Sequence, residues 1–191
     1  MEIILVALFG LVIGSFLNVV IYRTRAQRKI WLGRSACRFC KKVIHWFDNV
    51  PVLSSLVLRA RCRACRKFFG WQYAQVELST ALLFLALFAK FGLTIQFGFL
   101  LVLTSFLILI FVYDLRWSLI PDRFSVPAIF VALAYQASLS IPYQQIILAG
   151  AIGGGFFLAQ YILSRRRWIG SGDIRLGLLM GIILGWQMLL V

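Results

Sequence analysis

The sequence predicts an all-α fold: a polytopic transmembrane helical bundle of about six spans, with a small cytoplasmic domain inserted after the first helix. Three observations predict it. Hydrophobic residues make up 62% of the 191 positions and charged residues only 14%, against about 25% charged in soluble domains, and the mean hydropathy is +0.92. Apolar runs recur at lengths approaching the roughly 20 residues that cross a bilayer. The one long polar stretch, residues 23–72, falls directly after the first such run. A soluble enzyme, a disordered tail and a secreted disulfide scaffold are excluded.

The first span is expected over about residues 3–22, IILVALFGLVIGSFLNVVIY. It has no basic flank before it, and the basic residues begin at Arg23, so it reads as a retained helix with its amino terminus outside, not as a cleaved signal peptide. Residues 23–72 carry thirteen Lys/Arg and all four cysteines. A second, short span is expected from near Glu77 to Ala89, and a turn from Lys90 to Thr94 leads to a third over about 95–113. The polar connection DLRWSLIPDR (114–123) precedes a fourth span, about 124–140, and a fifth follows over about 146–163. SRRRWIGSGD (164–173) then leads to the last, from about 174 to the end. The expected domains are therefore 1–22, 23–72 and 73–191.

Six spans threaded from outside put 23–72, 114–123 and 164–173 on the cytoplasmic face. Nineteen of the 20 Lys/Arg then lie on that side, with Lys90 alone outside, as the positive-inside rule requires. The formal charge of +14 is accordingly read as basic loops facing anionic membrane lipid, with no nucleic acid as partner. Only six acids occur, Glu2, Asp48, Glu77, Asp114, Asp122 and Asp173, and one histidine, His45. That scarcity excludes a multi-histidine metal centre and argues against a Ser-His-Asp hydrolase. Glycines repeat every fourth residue at Gly10/Gly14, Gly150/Gly154 and Gly177/Gly181/Gly185; such stripes let helix backbones approach closely in lipid. Ser15 and Asn18 inside the first span are expected to make interhelical hydrogen bonds.

The cysteines read C-R-F-C at 37–40 and C-R-A-C at 62–65, separated by 21 residues. Each pair presents two thiolates to one tetrahedral ion, and Cys37, Cys40, Cys62 and Cys65 together complete a four-cysteine zinc site. A closed thiolate shell makes the Zn2+ structural, and it would fold a segment too basic and short for a core of its own. The alternative is free or disulfide-paired cysteine, and a reducing cytoplasm argues against the disulfides. His45 reads as a loop residue between the knuckles.

The threading also sets Asp114, Asp122 and Asp173 at membrane boundaries on one face. Ionisable groups at such places are costly and mark function by default. Two facing carboxylates hold one proton between them. The ionised member can activate water and the protonated one can supply the leaving amine, which is aspartic peptidase chemistry. Gly170 and Gly172 are expected to allow an extended backbone beside Asp173. The bland reading is that the aspartates cap helices, which suits Asp173 and Asp122. Residue chemistry alone leaves open whether Asp114 or Asp122 partners Asp173.

At these residues the chain resembles the type IV prepilin peptidases (prepilin leader peptidase/N-methyltransferase), membrane aspartic peptidases of the G-x-G-D class. The likeness covers nearly the whole chain, in order: GSFLNVVIYR (14–23), the two cysteine knuckles with DNVPVLSSL (48–56) between them, QVELSTALLF (75–84), YDLRWSLIPD (113–122) and GSGD (170–173). The resemblance implies that Asp114 and Asp173 are the catalytic pair, with Asp122, Gly170 and Gly172 supporting. It implies cleavage of the basic leader of prepilins or pseudopilins just after a glycine, at the cytoplasmic face of the bacterial inner membrane. It also implies methylation of the new amino terminus with S-adenosylmethionine, and residues 73–191 become a transmembrane aspartic peptidase core. No glycine-rich nucleotide loop marks a methyl-donor site. Family chains usually continue past the last span with one or two more helices, whereas this sequence stops at Val191, so a short member or a truncated chain is expected. Because the protein is so basic, lipid headgroups are expected to hold the leader's own cations. The rival classes are a non-enzymatic membrane scaffold or assembly factor with a structural zinc loop, and a small ion transporter; the acids' position at one face, not mid-span, counts against the transporter.

Overall fold

The computed structural model describes residues 1–31, 33 and 35–189; Arg34 of the basic segment and the expected end of the last span at Leu190 and Val191 lie outside the described residues. The chain falls into two units, Met1–Gly92 and Leu93–Val191. Among the described residues the secondary structure is helical, apart from two isolated β-bridges.

The first unit opens with α1, Glu2–Arg25, whose acidic first turn and basic last turn (Arg23, Arg25) match the helix dipole. It packs antiparallel on α3, Gln72–Phe91. The seam is built from small residues at every fourth position. A Cβ on Gly10 would lie 2.6 Å from Ala81 Cα, and one on Gly14 2.6 Å from Glu77 Cα. One turn further on, the Asn18 amide donates to the Tyr73 carbonyl at 3.0 Å. The glycine stripe expected to pack helices does so, and Asn18 makes the interhelical bond expected of it. α3 begins at Gln72, well before the expected start near Glu77, and it stops where Gly92 takes φ 60 and donates its N–H to the Phe88 carbonyl. Residues 26–71 hold a 3-10 turn, Trp46–Asn49, and a short helix, α2, Leu53–Val57.

The second unit holds α4, Ile95–Trp117; α5, Asp122–Ser138; α6, Tyr143–Leu163; and α7, Ser171–Leu189. α4 starts where the Thr94 hydroxyl accepts the Phe97 N–H and ends where Ser118 turns left-handed (φ 48) and donates to the Asp114 carbonyl. α6 and α7 pack antiparallel through glycines: a Cβ on Gly177 would lie 2.6 Å from the Gly153 carbonyl oxygen, and one on Gly181 2.2 Å from that of Ala149. α5 packs on both α4 and α7 and buries Ser125, Ala128 and Ala132 completely. Gly185 departs from the expected stripe. It adopts φ 75, ψ 161, breaks α7, and a Cβ there would meet nothing within 4 Å.

Five helices, α1, α3, α4, α6 and α7, are long and apolar enough to cross a membrane. α5, the expected fourth span, has 17 residues with Pro127 inside. At 1.5 Å per residue that is roughly 26 Å, a little short of a hydrocarbon core of about 30 Å. Ile3, Leu5, Leu8 and Val12 of α1 are exposed, and so are Phe156 and Ile162 of α6, as lipid-facing residues are where no water must be avoided.

Candidate functional site

The two cysteine knuckles are built alike. In the first, the Cys37 N–H donates to the Lys42 carbonyl and the Lys41 N–H to the Cys37 carbonyl; in the second, Cys62 donates to Lys67 and Arg66 to Cys62. Each loop is closed by a single antiparallel bridge, Ala36–Val43 or Arg61–Phe68, and turns on a left-handed residue just after its second cysteine, Lys41 (φ 60) or Arg66 (φ 54). Twenty-five residues apart, the same local fold presents the same pair of sulfurs. The four Sγ atoms lie within 4.8 Å of one another, with Cys37–Cys65 at 3.8 Å and Cys40–Cys62 at 4.0 Å. Four thiolates about 2.3 Å from one ion stand roughly 3.8 Å apart, so the donor set and its spacing fit a tetrahedral metal.

The electrostatics of the cluster are uneven. Burial works against ionising Cys37. The N–H groups of Cys40 and Phe39 and the neighbouring Cys62 and Cys40 thiols outweigh it, and the pKa is lowered to about 6. At Cys65 the Lys67 N–H favours the thiolate, but burial and the other three sulfurs push it up to about 11. Asp48, from the 3-10 turn, receives the Arg63 guanidinium in a fork at 3.1, 3.0 and 2.7 Å. Those bonds hold its carboxyl below the ordinary value and tie the turn to the second knuckle. His45 stacks on Phe47 with ring centroids 5.2 Å apart, which suits its reading as a loop residue.

The three boundary aspartates belong to the second unit. Asp114 lies in the last turns of α4, Asp122 opens α5, and Asp173 is the third residue of α7. A four-residue link joins α4 to α5, and the Arg175 guanidinium on α7 pairs with the Asp122 carboxylate on α5. These two connections bring all three acids to one end of the unit. Asp122 and Asp173 each have local work. Asp122 holds Arg175, and the Asp173 Oδ2 accepts the Gly170 N–H at 2.7 Å, the first turn of the helix reaching back to the residue just before it. Asp114 has no such work. Its exposed side chain makes no hydrogen bond or ion pair among the described residues, and a carboxylate near a helix C-terminus opposes the dipole. The backbone at Gly172 is helical, not extended as expected, because α7 begins at Ser171. Gly172 is needed for space instead: a Cβ there would lie 2.7 Å from the Ile120 Cβ.

Two residues of these sites are not marked as such by the sequence. Arg175 is there one more cytoplasmic cation. Glu77 stands at the expected start of a span, although an acid in an apolar run is itself a signal. It is buried (5% exposed) and accepts the Val52 N–H at 2.7 Å. It also lines a cavity of about 530 Å³ in the first unit, between the cysteine knuckles and the ends of α1 and α3.

Residues 8–91 match the family model of the bacterial peptidase A24 N-terminal domain, and residues 101–191 that of the type IV leader peptidase family. The chain is 38% identical over 186 residues to a prepilin leader peptidase/N-methyltransferase of Myxococcus xanthus, covering 95% of this chain and 56% of that protein. It is 33% identical to one of Bacillus subtilis, with 95% and 73% covered. To one of Pectobacterium carotovorum it is 31% identical, with 94% and 74% covered. The chain thus spans a little over half of the first of these relatives and about three quarters of the other two. No solved structure matches.

Proposed function

Because the chain belongs to the type IV leader peptidase family, we propose that it removes the leader from prepilin or pseudopilin substrates and then methylates the amino terminus so exposed. Asp114 and Asp173 form the catalytic pair in this reading. One carboxylate, ionised, takes a proton from water as the oxygen attacks the carbonyl of the leader's last glycine. The other, protonated, gives its proton to the departing amine. The observation that carries the assignment is the contrast among the three acids: Asp122 is spent on Arg175 and Asp173 is oriented by Gly170, while Asp114, at the same end, has no structural partner among the described residues. A group that costs helix stability and repays it with no contact is a group kept for chemistry.

The four cysteines would hold Zn2+, which here supplies a structural cross-link and no open coordination position. S-adenosylmethionine, when bound, supplies the methyl group. The surplus of Lys/Arg on one set of loops supports a bacterial inner-membrane protein with the cysteine segment and the aspartates facing the cytoplasm. Anionic headgroups at that surface hold the basic leader and present its glycine junction.

The test is leader removal from a prepilin in membranes that contain the protein. Asp114→Asn and Asp173→Asn each abolish cutting while the protein accumulates normally, and Asp122→Asn leaves part of it. Cutting retained by either of the first two variants refutes the pair, and carboxamide variants that are all harmless would make the chain a scaffold.

A further inference from the structure

Resting on the methylation half of that reading, we infer that the cavity beneath the cysteine knuckles is the methyl-donor site, with the Glu77 carboxylate as counter-charge to the donor's sulfonium.

The argument starts from an uncompensated charge. Glu77 is 5% exposed, and its carboxylate meets the Val52 N–H and the Ser15 hydroxyl. No Lys or Arg pairs with it: the ion pairs among the described residues are Arg63–Asp48 and Arg175–Asp122. A buried carboxylate faced only by neutral donors is costly, and the cost is relieved by a cation that arrives with a ligand. Of the cations in the cavity wall, Arg23 and Arg38 have other work. Arg23 donates to the Ile30 and Gly33 carbonyls. Arg38 donates to the Phe69 carbonyl at 2.8 Å and lies over the rings of Tyr22 and Tyr73. Asp48, the other acid in the wall, is taken by Arg63. Glu77 is therefore the acid left to receive a positive ligand.

The cavity also fits the rest of the molecule. Its volume of about 530 Å³ lies within the range of cofactor pockets, roughly 300–1,000 Å³. Arg28 and Arg61 line it as well, so a zwitterionic tail finds positive charge for its carboxylate, away from Glu77. During transfer the carbon–sulfur electron pair stays on sulfur, and the substrate's amine nitrogen takes the methyl and gives up its proton to solvent. The ligand then loses its positive charge and with it the attraction to Glu77, which favours release of the spent donor over the fresh one.

The charge change supplies the experiment. The zinc-loaded full chain, purified in lipid nanodiscs, is titrated with S-adenosylmethionine and with its neutral product, S-adenosylhomocysteine. Glu77→Gln keeps an acceptor for the Val52 N–H and removes only the charge. The expected result is a Kd for S-adenosylmethionine raised about tenfold or more, with that for S-adenosylhomocysteine changed far less. Equal losses for both ligands, or no loss for either, overturn the inference. A second measurement needs no variant: light-induced cross-linking of radiolabelled S-adenosylmethionine to the wild-type chain should mark peptides within residues 15–77, and label confined to 93–191 overturns the inference. Prepilin cutting by the same preparation separates the two readings. Protein that cuts but binds neither nucleoside sinks this inference alone, and protein that binds as expected but does not cut sinks only the peptidase.

Discussion

Asp122 at the start of α5 and Arg175 near the start of α7 form an ion pair, and Arg175 lies two residues beyond Asp173 on the same helix. The pair staples the two helix ends that carry the second and third acids. Both partners are substantially exposed, at 63% and 36% of their side chains, so its contribution to stability is small, as for surface pairs generally. Its consequence is positional: Asp122 is neutralised, and the first turn of α7 is held against α5. Asp122→Asn and Arg175→Gln are therefore each expected to slow leader removal by about two- to fivefold without altering the melting temperature. The double variant should be no slower than the worse single one, because one interaction is lost in all three. Initial cleavage rates in membranes measure this, and additive losses would show that the two residues act separately.

The α6–α7 contact makes a sharper demand on side-chain size. A methyl at Gly181 would stand 2.2 Å from the Ala149 carbonyl oxygen, whereas at Gly155 it would meet nothing within 4 Å. Without a hydrophobic drive between helices in lipid, close backbone packing is what joins them. Gly181→Ala is expected to destabilise the chain by about 1–3 kcal/mol, and Gly155→Ala to leave it unchanged or slightly firmer, as Ala is the better helix former. Thermal unfolding of both variants in one detergent decides the matter. Equal melting temperatures would show that the seam opens to admit a methyl.

Much of this was legible in the sequence because the signals are local or periodic. Two C-x2-C runs fold as two copies of one small loop, and a glycine every fourth residue marks a seam whatever its partner. The partner is another matter. Nothing in α1 announces that Gly10 and Gly14 will meet Ala81 and Glu77, and nothing in Arg175 announces Asp122, since both pairings depend on how distant segments pack. Pattern also misled at Gly185, where the fourth-residue repeat continues but the helix does not. The polar residues Gln72 and Gln75 lower local hydropathy, so in the sequence the second span begins near Glu77. The backbone is nonetheless helical from Gln72, with the Gln75 N–H donating to the Trp71 carbonyl, and the Asn18 amide adds a bond to the Tyr73 carbonyl across the seam. Glu77 looked like a boundary residue for the same reason and proves to be buried.

The unequal thiols give a pH signature for the metal-stripped protein. Cys37 is lowered to about 6 and Cys65 raised to about 11. Thiolate absorbance followed with rising pH should show the first cysteine ionising near 6 and the last only towards 11, not four together near the ordinary value of about 8.5. The sign for metal binding follows. At neutral pH the Cys37 thiolate is already formed and binding the ion must expel the proton from Cys65, so affinity rises with pH, and it falls further as pH drops through about 6 and Cys37 is protonated. Metal analysis should find one zinc per chain at pH 8 and loss of it below about 6, with Cys37→Ser the most damaging single change. Four superimposed ionisations would contradict the arrangement of hydrogen bonds around the cluster.

The break in α7 carries the last prediction. At Gly185 the backbone takes φ 75, ψ 161, so carbonyls in the turn before it are deprived of regular helical donors. The buried Gln136 amide of α5 supplies one: its Nε2 donates to the carbonyl of Ile182 and also to that of Ile183, at 3.3 Å. Its Oε1 meets no donor among the described residues, so the side chain spends part of what it gains. Gln136→Leu is expected to cost about 1 kcal/mol, read as a small fall in melting temperature. Gly185→Ala penalises the left-handed turn and favours a helix that runs on, which would give those carbonyls their own N–H partners. In that background Gln136→Leu should cost less than it does alone, and the shortfall measures how far the glutamine exists to mend the break. If the two substitutions simply add, the amide and the kink are independent features that happen to lie side by side.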